Sequence, residues 1–427
     1  MRLGDGEWVC RPSGALPQYY IPDVWLIGRQ PILDRDEYIT AYELLFRSPG
    51  EDRAIFVDPV AATSTVILGA LSGFGIEQVL GGRQGFVNVD EKLLFDDALE
   101  LLPRESVVLE LLESIRPTEA VVRRCEELRS RDWKFALDDH RYAPEYEPLY
   151  PLVDVVKIDL TISPLETMGP AIEQLRRYPL RLLAEKVETR EQFEQCHELG
   201  FHLFQGYFFA RPATIRHRRI DEGGATLLKL LGLLMEDADI KEIEAAFRGS
   251  PGLIYNLLML VNSVGFGLPQ RIGTVRQAIV MLGRQQMRRW IQLALFGAHG
   301  ERGLDNPLLD AAAVRATFMD QLARQHPTLG KACEAADEAF MVGILSLLDS
   351  LYEVAMEDLV TSLRLSENAA SALLRREGPI GELLTLVEQI ERLEVDEALD
   401  QILSLQMTPE QVLEAQLKAF AWRLAIA

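Results

Sequence analysis

The stretch Arg181–Phe209, RLLAEKVETREQFEQCHELGFHLFQGYFF, carries two periods. Arg181 to Val187 and His202 to Phe209 are short apolar runs, and Arg190 to Leu199 between them has the length and spacing of a crossover helix. A strand joined to a strand by such a helix pairs in parallel. The rhythm extends back to Val24, with apolar runs at Val24 to Ile32, Tyr38 to Phe46, Gly85 to Val89, Ser106 to Leu112, Lys134 to Asp139 and Val153 to Leu160. Helical stretches at Asp58 to Leu80 and Thr118 to Arg129 fill the gaps. About eight strands over roughly 190 residues predict a compact, modified TIM-like (β/α) barrel.

After residue 212 the pattern changes. The segment Ala213 to Gly224, ATIRHRRIDEGG, reads as a linker, and from Ala225 strand signals vanish. Leu227, Leu230, Leu231 and Leu234 follow the i, i+3, i+4, i+7 rule of one helix face. Ser250-Pro251 and Thr408-Pro409-Glu410-Gln411 look like helix starts, the second as a capping box with proline at the first helical position. The fold class is therefore α/β plus all-α: an extension at 1–22, a barrel at 23–212, a linker at 213–224 and a helical domain at 225–427.

A formal charge of -21 over 427 residues opposes long nucleic acid and anionic membrane surfaces. A small phosphorylated ligand stays compatible, because a divalent cation in a carboxylate site inverts the local sign of charge. Cys10, Cys125, Cys196 and Cys333 show no CxxC spacing, which favours reduced thiols. The N-terminus MRLGDGEWVC is not a signal peptide, and no run approaches the ~18 apolar residues of a membrane span. A cytoplasmic protein without membrane insertion is expected.

Nearly every apolar run in the first half ends on a polar residue: Glu43, Asn88, Glu110, Asp138 with Asp139, Lys157, Glu185 with Glu188, and Gln205. Taken singly, an acid at a strand end is more often a solvated loop start. Seven in succession are expected to converge, because the parallel strands of a barrel end on one face. Converging carboxylates need cations, and an all-oxygen donor set favours magnesium, manganese or calcium. Two such ions suit in-line attack on a phosphodiester, with Lys157 orienting water or neutralising developing charge.

Arg29-Gln30-Pro31-Ile32 followed by Glu43-Leu44-Leu45-Phe46-Arg47 resembles the opening of EAL domains. The resemblance continues in order through Asn88 in FVNVD, Glu110 and Glu113 in LELLES, Asp138-Asp139 in ALDDH, Lys157 in VKID, Glu185 and Glu188 in AEKVET, and Gln205-Gly206-Tyr207 in QGYFFARP. It implies a (β/α) barrel that linearises cyclic di-GMP with two Mg2+ or Mn2+ ions. Glu43, Asn88, Glu110, Asp138 and Glu185 would be metal ligands, with Asp139 serving the second ion. Lys157, Glu185 and Glu188 would be catalytic, and Gln30, Arg47 and Gln205 would contact the nucleotide. The chain departs from the family after Asp139, where DDHRYAPEYEPL replaces the usual DDFGTGYSS. Glycine there permits positive φ that His140, Arg141, Tyr142 and Pro144 resist. Lys186 likewise replaces a common glycine. Two readings stay open, a weak metal-dependent phosphodiesterase and a noncatalytic effector or scaffold.

In the helical half, Asn262-Ser263, Phe266-Gly267, Ile272, Thr274-Val275, Ala278-Ile279 and Leu282-Gly283 resemble the HDOD core. Ser346-Leu347 stands where related metal-dependent HD enzymes carry His-Asp, and leucine cannot ligate a metal. His299 and His326 read as exposed structural histidines, and Arg288-Arg289-Trp290 reads as a solvated helix edge. The resemblance implies a regulatory module that contacts a protein partner, without catalysis of its own, and it admits a homodimer.

Overall fold

The computed structural model describes residues 26–47, 76–206, 222–258, 272–297 and 307–425, apart from a few positions within them. Eight strands, β1 (Leu26–Leu33), β2 (Ile39–Arg47), β3 (Gln84–Val89), β4 (Val107–Leu111), β5 (Lys134–Leu137), β6 (Val155–Asp159), β7 (Arg181–Glu185) and β8 (Leu203–Phe204), close into a barrel in chain order. Strands β2 to β8 are mutually parallel, as their crossovers require. Strand β1 is antiparallel to both neighbours. Its reversal is local: Asp34 Oδ1 accepts from the amides of Asp36 and Tyr38, and Glu37 takes a left-handed φ of 63°, so β1 returns through a tight hairpin without a crossover.

The outer layer holds α1 (Ile76–Leu80), α2 (Glu91–Leu94), α3 (Glu119–Arg129), α4 (Gly169–Leu175) and α5 (Arg190–Glu198). Thr118 caps α3, and Thr189 forms a reciprocal capping box with Gln192 at the start of α5. Inside the barrel each strand gives one buried apolar side chain to a floor: Ile32, Ala41, Phe86, Val108, Ala136, Val155, Leu183 and Leu203. This layer closes the barrel to water from below.

The second half is helical: α6 (Glu222–Met235), α7 (Ile240–Phe247), α8 (Val275–Gly297), α9 (Pro307–Gln325), α10 (Cys333–Leu345), α11 (Leu348–Tyr352), α12 (Met356–Leu363), α13 (Glu367–Arg375), α14 (Gly378–Glu391), α15 (Val395–Ser404) and α16 (Pro409–Ala425). Helix α6 starts at Glu222, inside the segment read as linker. The expected box at α16 is present, with Thr408 N donating to Gln411 Oε1 and Gln411 N to Thr408 Oγ1. Gly283 breaks α8 with a φ of 70° that an L-residue adopts only under strain. Buried Arg315 of α9 donates to Ser346 Oγ at 2.8 Å and to Glu391 at 2.9 Å, so the Ser346-Leu347 pair sits against an arginine–carboxylate bridge.

Two readings of this half need correction. His326 is buried at 9% exposure, because its Nδ1 accepts from the amides of Thr328 and Leu329 and closes the end of α9. Arg288-Arg289-Trp290 is a cross-link: Arg289 bridges Asp320 and Asp337 over the Phe340 ring, Arg288 donates to Leu234 O, and Trp290 stacks on Phe247. Asn262, Ser263, Phe266, Gly267, Pro251, His299, residues 1–22 and most of the expected linker lie outside the described residues. Among the described residues no helix is long and apolar enough to cross a membrane.

The halves share a core. A hairpin supplies no crossover helix, so the outer faces of β1 and β2 need cover from elsewhere. Helix α16 supplies it through Leu413, Leu417 and Phe420, which belong to the barrel's hydrophobic cluster. The grip on β1 is residue by residue. Gln416 pairs with the Ile27 backbone, its Nε2 donating to the carbonyl at 2.9 Å. A Cβ on Gly28 would meet Leu393 at 2.6 Å, so the loop after α14 lies against the strand. Arg29 lies between the Tyr42 and Phe420 rings, donates to Val79 O, and forms a buried ion pair with Asp310 of α9 at 2.9 Å.

Candidate functional site

Side chains two residues apart on a strand face the same way, one pleat layer apart. Two positions above the apolar floor, on each of the eight strands in turn, stand Gln30, Glu43, Asn88, Glu110, Asp138, Lys157, Glu185 and Gln205. On antiparallel β1 the step runs from Ile32 back to Gln30. The polar residues read from the strand ends therefore form one ring at the barrel mouth.

Lys157 stands at its centre. Its Nζ lies 3.1 Å from Glu43 Oε2, 3.2 Å from Asp138 Oδ1 and 2.9 Å from Glu185 Oε1, and it also contacts Glu110. Gln205 Nε2 donates to Gln30 Oε1 at 2.8 Å and to Glu43 Oε2 at 2.6 Å. Asp138, Asp139 and Glu185 bring carboxylate oxygens within 4.8 Å of one another. Glu188 is exposed at the entrance to α5, its amide donating to Gln192, and no hydrogen bond or ion pair among the described residues joins it to the ring. Arg47 ends β2, and its side chain lies outside the described residues.

The ring is short of positive charge. Glu43, Glu110, Asp138, Asp139 and Glu185 against Lys157 sum to five negative charges and one positive, a formal excess of four. Burial, with Lys157 pulling the other way, leaves the Glu110 carboxyl well above its ordinary pKa. Burial likewise pushes Glu185 up to about 7. Burial also opposes the Lys157 ammonium, but Glu110, Glu43, Glu185 and Asp138 together hold its pKa well above the usual lysine value. Asn88 Oδ1, Glu110 Oε2, Glu185 Oε2 and Gln205 Oε1 are buried acceptors without a hydrogen-bond donor. Orphaned oxygen acceptors on an anionic ring fit hard divalent cations.

These shifts give a pH dependence. A carboxyl whose folded pKa exceeds its unfolded value stabilises the fold at low pH and loses that contribution as pH rises through the folded value. In EDTA, thermal stability is expected to fall between pH 4.5 and about 7, by on the order of 3 kcal/mol from Glu185. Thermal melts across that window check this, and Glu185→Gln should flatten the curve.

The loop after Asp139 resolves its missing glycines locally. Asp139 itself takes the left-handed φ, at 42°, and residues 140 to 144 avoid positive values. His140 is buried against Tyr146 and Tyr150, and burial pushes its pKa down to about 4, so the imidazole is neutral. Tyr150 Oη accepts from Ala143 N, lies 3.1 Å from Ala143 O, and hydrogen-bonds with His140 Nε2 at 2.9 Å. A cleft of about 190 Å³ lined by Leu112, Glu113, Asp139, His140, Arg141 and Tyr146 opens beside the ring. Sequence reasoning passed over Asp159. Two residues beyond Lys157 it points the same way, is buried, and pairs with Lys186 Nζ at 2.5 Å. That two-residue step was its only signal.

An EAL domain matches residues 30–212 and an HDOD domain matches 226–382. The chain is 33% identical over 93% of its length, and 91% of the relative's, to the cyclic di-GMP phosphodiesterase CdgJ of Vibrio cholerae. It belongs to the EAL–HDOD family. The YuxH protein of Bacillus subtilis is 31% identical over 93% of this EAL–HDOD chain and 97% of its own. The probable cyclic di-GMP phosphodiesterase PdeD of Escherichia coli is 31% identical over 27% of this chain and 23% of its own.

Proposed function

We propose that this EAL–HDOD protein binds cyclic di-GMP at the barrel mouth and hydrolyses it to linear pGpG with two Mg2+ or Mn2+ ions. The observation that carries the reading is the polar ring: every strand presents a polar side chain at one height, and the buried oxygens of Asn88, Glu110 and Glu185 have no hydrogen-bond donor, which suits cation ligands. A relative named for this phosphodiesterase activity, alike over 93% of the chain, supports it. Glu43, Asn88, Glu110, Asp138 and Glu185 would hold the ions, with Asp139 on the outer one. The ions would supply Lewis-acid stabilisation of the charge that builds as water attacks phosphorus and the ribose 3′ oxygen leaves. Lys157 would hold the attacking water against Glu43 and Glu185 and keep a fixed positive charge beside the phosphate. Gln30, Gln205 and Arg47 would position the nucleotide, and Glu188, at the α5 entrance, would lie at the rim. The barrel of residues 23–212 would read the nucleotide and the module of 225–427 would pass the signal to a protein partner.

A second reading keeps binding and drops turnover. The observation that favours it is the loop at 140–150, which carries no glycine and is held by the 2.9 Å contact and ring packing of His140 on Tyr150. Incubation with cyclic di-GMP and Mn2+ decides between them: the parent yields pGpG, and Glu43→Ala lowers the rate at least about 100-fold. If no pGpG forms while calorimetry in Ca2+ detects binding, the second reading stands; neither product nor binding refutes both.

A further inference from the structure

Lys186 occupies an expensive backbone position. Its φ is 55°, a left-handed value that costs an L-residue about 1 kcal/mol relative to glycine. The residue lies directly after Glu185, at the end of β7. Its ammonium reaches back across the rim to Asp159 Oδ2 at 2.5 Å, and Asp159 is held from its other side by Thr161 N and Oγ1, each at 2.6 Å. The Lys186 charge also acts on Asp139 and Glu185, and the Asp159 charge acts on Asp139. Those two carboxylates, with Asp138, are the corner where oxygens gather within 4.8 Å. Glu185 Oε2 there is buried and has no donor.

We propose that Lys186 is a tethered counter-ion at the outer metal position, which neutralises Asp159 and weakens divalent-cation binding at the Asp138–Asp139–Glu185 corner. The inference rests on the metal reading above and adds to it a residue that sets the ion affinity. A cation whose charge acts on two of the three ligands repels an incoming divalent ion, and it cancels Asp159, a nearby carboxylate that would otherwise help draw that ion in. Lys186 is about half exposed, at 56%, so water screens the repulsion and the effect is moderate. The strained φ is relieved by glycine, so removing the side chain does not threaten the local fold.

Calorimetric titration of the full, EDTA-stripped chain with Mn2+ at pH 7.5 tests this, without reliance on turnover. Lys186→Gly and Lys186→Gln are expected to bind Mn2+ about tenfold more tightly than the parent, and Lys186→Arg to stay within about twofold. Glycine relieves the backbone and glutamine does not, so a gain shared by both isolates the charge. Equal or weaker binding in both neutral variants overturns the proposal and makes Lys186 a brace for Glu185. Absence of Mn2+ binding in every protein, parent included, overturns the metal reading and this inference with it.

Discussion

Lys157→Met is expected to destabilise the ion-free protein by about 3–5 kcal/mol near pH 7, because it removes the one cation among buried carboxylates. Methionine matches the lysine stem in length and fills its space, so the loss reads charge and not volume. Four carboxylates contact the Lys157 ammonium, and Glu110 and Lys157 are almost completely buried. Without the ammonium these acids retain protons to higher pH, so the variant should lose stability more steeply than the parent as pH rises from 5 to 8. Mn2+ should stabilise the variant more than the parent, since the ions then replace the positive charge lost from the centre of the ring. Thermal melts with and without Mn2+ measure all three effects. Equal stability of variant and parent in EDTA at pH 7 would show that the central ion pairs have no net worth. Hydrolysis, if the parent shows it, should fall at least about 100-fold, since the residue would hold the attacking water.

Deleting residues 408–427 is expected to unfold the barrel and not merely trim the helical half. Leu413, Leu417 and Phe420 are buried in the barrel cluster, and each buried side chain of that size contributes about 1.5–3 kcal/mol. Their sum, about 4.5–9 kcal/mol, is comparable with the whole stability of a domain. The deletion also strips the Gln416 bonds from Ile27 and one of the two rings around Arg29. Limited proteolysis should cut the truncated protein within β1 and β2, where the intact chain resists. A truncated chain that melts as one cooperative unit near the parent's midpoint would refute this dependence.

The sequence exposes the ring and hides the clamp for one physical reason. Barrel strands are short apolar runs whose alternation is local, so Val155, Lys157 and Asp159 can be read as one inward face before any fold is known. Asn88 and Glu110 follow from the same step beyond Phe86 and Val108. Glu188 keeps its place in the motif, but at the mouth of α5 no periodicity fixes where its side chain goes. The contact between Gln416 and Ile27 joins positions 389 apart and leaves no periodic mark, since Gln416 on α16 looks like any polar helix residue. His326 and Arg289 escaped for a related reason: burial of a polar side chain depends on partners brought by the fold, Thr328 for one and Asp320 and Asp337 for the other. Lys186 was visible as a cation beside Glu185, but only the φ of 55° explains why glycine is the usual residue there.

The α16 clamp also fixes an order of events during synthesis. A ribosome releases β1 early, yet the groups that cover Ile27 and Arg29 leave it almost four hundred codons later. Domains made first usually fold first. Here the outer flank of β1 stays uncovered until α16 emerges, so a chain terminated before α16 lacks the contacts that cover Ile27 and Arg29, whatever its motifs.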